Sequence, residues 1–238
     1  MDEKAKEKFL EIQELFKRMS FEEVCPIIES YYIWRTLTFR RSIPEVGKDN
    51  AEENAKLMSL HKEFFIPTEQ SHLQLFIIGL VKFFDKDSKA LSIGNLIKKI
   101  QENKNLITPE LLKNVYPNLD KIGAIKDDYL PINQDVIDHF RQFQEKHENL
   151  ISNLKNIRDK QFAHTDMNPI KTTFVPVEIE VLIKNVQEVF NKLSNSFDLS
   201  ATSWNHLKED SIRSTDFLLE NLRRGEIERK KEIKRKWG

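Results

Sequence analysis

The sequence predicts an all-α fold, a helical bundle with additional helices at its N- and C-terminal ends. Two observations carry this expectation. The 238 residues include only 6 Gly and 8 Pro, too few turn formers for many short strands. Apolar residues also recur at steps of three and four through nearly every stretch. A chain of this length can bury a sizeable core as one domain. The organisation read from it is a single helical domain over 1–206, with N-terminal helices over 1–64, and then a charged helix over 207–238.

From Asp2 to Arg18, the stripe Phe9, Ile12, Leu15 and Phe16 marks a first helix. Ser20, with Glu23 three residues on, has the form of a capping box and opens a second helix toward Arg41. Residues 42–47 connect to a third, Ala51 to Phe65, which ends before Pro67. Thr68 then caps a helix to about Phe84 that is apolar on nearly all sides, so it belongs in the middle of a bundle. Ser92 to Glu102 and Pro109 to Val115 read as short helices, and Tyr116 to Pro131 as a loop. Gln134 to Ala163 is the longest amphipathic segment. A loop from Met167 to Pro176 leads to a helix over Val177–Phe197, and a last one spans about Leu207 to Lys236.

The chain carries 38 basic and 38 acidic residues, so no global field advertises nucleic-acid binding and any such contact must be local. The single cysteine, Cys25, has no internal partner, which points to a reducing cytoplasm. The start, MDEKAKEKF, lacks the apolar core of a signal peptide. The most apolar run, Leu73 to Phe84, is shorter than the ~20 residues that cross a bilayer, so no membrane association is expected.

Polar chemistry intrudes on the apolar face of Gln134–Ala163. On a wheel at ~100° per residue with Phe143 at zero, Leu150, Leu154 and Ile157 fall within ~40°. Arg158 falls at about +60°, inside the stripe, and His164 at about −60° if the helix reaches it. His147 and Gln161 project from the same face. Burying an unpaired guanidinium is costly, so Arg158 must meet a carboxylate, a ligand or a partner subunit. Asp159, Asp85 and Asp87 are the carboxylates at hand.

The string Arg158-Asp-Lys-Gln-Phe-Ala-His164 resembles the R-x(4–6)-H motif of the HEPN superfamily, including the polar residue that commonly follows the Arg. Extended over Ile157–Asp166, it looks like the abortive-infection, AbiU-like branch, in which an Arg, an Asn or Asp, a Lys, an Ala-His pair and a nearby Asp close a long helix. Phe84 to Ser92, after an apolar helix, resembles that branch too. The likeness spans roughly residues 65–200. It implies a HEPN-like bundle and a metal-independent endoribonuclease without cofactor, acting in phage defence or a toxin-like role. The implied partners are RNA, a second copy in a homodimer that joins two motifs, and an antitoxin or other defence protein.

By the same resemblance Arg158 binds phosphate, His164 does acid–base work and Asp159 orients one of them. Lys160, Thr165, Asp166 and His72 are candidate substrate contacts. The residue types suit that chemistry, since a guanidinium holds two phosphate oxygens and an imidazole moves protons near neutral pH. The alternative, from a different class, is a catalytically silent HEPN bundle that binds RNA, nucleotide or a protein.

Other features read more simply. Glu69-Gln-Ser-His72 has di-iron spacing but lacks its counterparts elsewhere in the chain, so no metal site is assigned. Arg223 to Lys236 holds eight cations against three carboxylates; a solvated helix end is the simpler reading, an RNA phosphate contact the functional one. Tyr31, Tyr32 and Trp34 read as core rather than as a base-stacking platform.

Overall fold

The computed structural model describes residues 3–163 and 174–237. Among them every regular element is helical and none is a strand, so the all-α expectation holds. None of these helices is long and apolar enough to cross a membrane.

In chain order, α1 (Glu3–Arg18) passes through a π-helical segment, Met19–Val24, directly into α2 (Cys25–Phe39). A short α3 (Ile43–Val46) precedes α4 (Lys48–Leu60) and α5 (Lys62–Phe83). Then come α6 (Ile93–Asn103), α7 (Pro109–Val115), α8 (Pro117–Lys121), α9 (Gln134–Lys146) and α10 (Glu148–Ile157). A second π-helical segment, Arg158–Ala163, follows α10; after the undescribed stretch come α11 (Pro176–Asp198) and α12 (Asn205–Trp237).

The element boundaries differ from the sequence reading in several places, among them α3, which is helical within the connection expected over 42–47. Ser20 forms no capping box. Arg18 and Cys25 are both right-handed helical, and the Cys25 amide donates to the Ser20 carbonyl, so the helix never restarts and leaves no free N–H to cap. The break expected before Pro67 falls instead at His61 (φ −119°, ψ 34°). Helix α5 then runs through Pro67. That proline is only six residues into α5, so it removes a single ladder bond, while the Thr68 hydroxyl donates to the Phe64 carbonyl at 2.7 Å rather than capping. Part of the loop expected over 116–131 is helical as α8. Another difference, inside 134–163, belongs to the site below.

Within the described residues the chain forms two compact units, 1–26 with 77–203 and 27–76 with 204–238. In the first, α1 buries Phe9, Ile12 and Phe16, as its stripe requires. Phe197 of α11 stacks on Phe9 (ring centroids 4.8 Å apart) and on Phe16 (5.1 Å). The Tyr129 hydroxyl donates to the Phe197 carbonyl, tying the connection before α9 to the end of α11. Ser92 and Thr108 accept from the amides of Asn95 and Leu111, capping α6 and α7.

In the second unit, Tyr31 and Trp34 pack on Phe76 with centroids 5.5 and 5.3 Å apart, so these aromatics are core. Leu37, Leu57, Met58, Phe65 and Leu219 form a further apolar cluster. Arg40 donates to both carboxylate oxygens of Asp216 at 2.7 and 2.6 Å, joining α2's end to α12. Beyond Leu219, α12 buries no residue among those described. Arg224, Arg229 and Lys231 there pair along the helix with Glu220, Glu226 and Glu228.

Glu23 of the first unit sits with its side chain 10% exposed, 3.3 Å from the Lys82 ammonium. Burial raises its carboxyl above the ordinary 4.5, with Lys82 opposing. The folded chain therefore keeps this proton to higher pH than the unfolded chain does. From Glu23 alone, stability is highest below the ordinary carboxylate range and falls as pH rises through the raised value. Glu23→Gln is expected to melt above wild type at neutral and higher pH and to lose that advantage as pH falls through the ordinary carboxylate range. An equal melting shift at both ends of the pH scan would refute this.

Candidate active site

The amphipathic segment 134–163 contains neither Gly nor Pro, and its sequence reads as one helix. The structure breaks it at His147 (φ −110°, ψ 15°), between α9 and α10. Hydrogen bonding continues on both sides, from the His147 amide to the Phe143 carbonyl and from the Ile151 amide to the His147 carbonyl. Packing accounts for the bend. The His147 ring lies against Phe143 with centroids 4.5 Å apart, and Phe143 in turn meets Phe84, just past the end of α5, at 5.7 Å. Burial, helped by the neighbouring Lys146, pushes the His147 imidazole below its ordinary value, with Glu178 opposing. It is a packed ring whose neutral form burial favours.

Helix α10 buries Leu154 and Ile157, then widens into the π-helical segment that begins at Arg158. Such turns are rare and concentrate at functional sites. The regular wheel therefore stops applying after Ile157, and the ~100° steps that placed the residues beyond it no longer hold.

Arg158 is half-buried, with its side chain 23% exposed. Its Nε and Nη2 donate to one oxygen of Asp159, at 2.7 and 2.6 Å. The next residue thus meets the guanidinium's need for a carboxylate. Asp85 and Asp87 are used otherwise: they accept the backbone amides of Asp87 and Lys89 in their own turn. Both bonds to Asp159 come from one edge of the guanidinium. A guanidinium carries a second donor edge as well, of the kind that can hold an anion.

Lys160 is exposed beside this pair. His164, Thr165 and Asp166 lie outside the described residues, as does most of the expected loop over 167–176. His72 belongs to α5 in the other compact unit. Its Nδ1 is buried without a hydrogen-bond partner among the described residues, and burial pushes its imidazole down. Glu69, three residues before it, is taken by the Thr38 hydroxyl at 2.9 Å and by Arg41 at 2.5 Å.

Alongside α10 the first unit opens a cleft of about 720 Å³. One wall is the turn Phe84–Asp87; the other is the start and middle of α10, with Glu148, Ile151 and Lys155, and the adjoining end of α9, with Arg141 and Glu145. The cleft ends one helical turn before Arg158. Sequence reasoning missed its charged residues because each reads singly as part of a solvated face. The available signal was the 148, 151, 155 spacing, which keeps three unlike side chains on one side of a helix.

The turn 84–87 that walls the cleft belongs to one of the two segments, 84–92 and 157–166, that carried the resemblance in the sequence. A family model, HEPN_AbiU2 (AbiU2), matches residues 9–218, which takes in both segments. No curated protein and no solved structure matches the chain. The matched span covers most of the 238 residues, and the chain belongs to the HEPN_AbiU2 family.

Proposed function

We propose that this protein is a metal-independent endoribonuclease of the HEPN type, working as a homodimer in an abortive-infection or toxin-like role. The observation that carries the reading is Arg158. It is a half-buried guanidinium at a helix end, held on one edge by Asp159 and followed six positions later by His164. RNA brings its own nucleophile, the 2′-hydroxyl. Its oxygen forms a bond to phosphorus, the bond from phosphorus to the 5′-oxygen breaks, and one proton leaves the 2′-oxygen while another reaches the 5′-oxygen. An imidazole can carry either proton. A guanidinium already oriented by a carboxylate meets the charge developing on the phosphoryl oxygens without reorganising. In this reading His164 is the acid–base group, Arg158 the phosphate ligand and Asp159 a positioning residue; Lys160, Thr165 and Asp166 flank the phosphate. A two-fold pairing of motifs would bring two Arg158–His164 sets to one phosphodiester.

The test is RNA cleavage by the purified full chain in EDTA. The expected result is cleavage that leaves 2′,3′-cyclic phosphate ends. Cleavage found only with added divalent metal, or products with other ends, would overturn the reading.

A further inference from the structure

We infer that the cleft beside α10 is a base-recognition subsite that selects guanine in the nucleotide next to the cleaved phosphodiester. This deepens the ribonuclease reading and rests on it for the position of that phosphodiester.

The lining is chemically mixed. Phe84, Val81 and Ile151 supply apolar surface, Lys86 and Lys155 supply cations, and Glu145 and Glu148 supply carboxylates. Of the charged groups on this lining, these four make no ion pair among the described residues, whereas Arg141 pairs with Asp138 and Asp85 and Asp87 accept backbone amides. A simple anion would meet the carboxylates there, a simple cation the ammonium groups, and an apolar molecule would strand both. A nucleotide presents all three complements: a flat ring, a polar base edge and a phosphate.

The order along α10 matches the order within one nucleotide. Glu148, Ile151 and Lys155 lie within ~60° of one another on the helix and rise by ~4.5 and then ~6 Å. Carboxylate, apolar surface and ammonium thus follow in sequence over about 10 Å, close to the reach from a base edge to its phosphate. The next turn carries Arg158.

The carboxylates decide the base. A carboxylate offers two acceptors side by side and no donor. Guanine offers two donors side by side, N1–H and the exocyclic amine, and forms both bonds with one carboxylate. Adenine and cytosine set a lone-pair acceptor beside their amine, and uracil flanks its N–H with two carbonyls, so each loses one bond and gains a repulsion.

The test is titration of the full chain with 5′-GMP, AMP, CMP and UMP by calorimetry, together with cleavage of RNAs that differ in one base beside the cut. GMP is expected to bind at least tenfold more tightly than the other three. The double variant Glu145→Gln, Glu148→Gln should bring the four affinities within about threefold, since a neutral amide pairs with any base edge. Lys155→Met should weaken GMP by about fivefold or more and leave guanosine, which lacks the phosphate, unchanged. Melting temperature checks that the variants fold. Equal affinities for all four nucleotides in wild type, or a GMP preference that survives in the double variant, would overturn the inference and leave the ribonuclease reading standing. GMP selectivity in a protein that cuts no RNA would do the reverse.

Discussion

His164→Ala is expected to slow RNA cleavage by about 10²–10⁴-fold, the usual contribution of a positioned proton-transfer group. Arg158→Ala should lose about 10²–10³-fold, the scale for removing one preorganised charge-stabilising donor. The reason for expecting activity to fall without the fold is the exposure of the pair. Arg158 and Asp159 stand at the surface end of α10 with side chains 23% and 45% exposed. Removing the guanidinium therefore leaves Asp159 to water rather than stranded in a dry core, and a partly exposed pair of this kind contributes ~1 kcal/mol.

Melting temperatures of both variants should accordingly stay close to wild type. Asp159→Asn keeps the shape but loses the charge that orients Nε and Nη2, and should fall between wild type and Arg158→Ala. Single-turnover cleavage of a labelled RNA measures all three. Wild-type rates in either alanine variant would end the enzyme hypothesis. A large drop in melting temperature for Arg158→Ala would point to a structural guanidinium instead.

The largest stability effect is expected at Phe197. Truncating it to alanine should cost about 3–5 kcal/mol, the range for a fully buried phenylalanine whose cavity cannot collapse. Its ring is fully buried and sits against both Phe9 and Phe16 of α1. One truncation thus removes two stacked contacts between the first helix and α11, beyond the area that is re-exposed. The neighbouring backbone is tied to Tyr129, which limits how far α11 can move to fill the gap. Urea unfolding should show the midpoint falling with little change in slope. Phe217, 67% exposed on α12, provides the contrast: Phe217→Ala should stay within about 0.5 kcal/mol of wild type. A cost under about 1 kcal/mol at Phe197 would mean that α1 and α11 do not pack as described.

The parts of the fold that could be read in the sequence are those encoded within one turn. Ser92 and Thr108 start α6 and α7 because a hydroxyl beside the first amides satisfies them locally. The stripe Phe9, Ile12, Phe16 is buried because period 3.6 puts those residues on one side. Ser20 and Thr68 show the limit. Each has the residue type of a cap, yet each sits within a helix that does not stop there, because continuity depends on what the flanking residues bury and not on the hydroxyl.

The same division runs through the site. Local sequence alone determined that the chain is helical, where most helices lie, and that Arg158, Asp159 and His164 fall within seven successive positions; those facts depend on spacing and residue type. Packing between distant segments determined the bend at His147, where Phe84 meets Phe143 and the ring lies on top. It also determined the cleft that the bend and the turn 84–87 enclose, and only the tertiary structure could show that Arg158 turns to Asp159 and not to Asp85 or Asp87. A break without Gly or Pro costs hydrogen-bond geometry that no neighbour in sequence repays, so only contacts made across the fold can hold it in place.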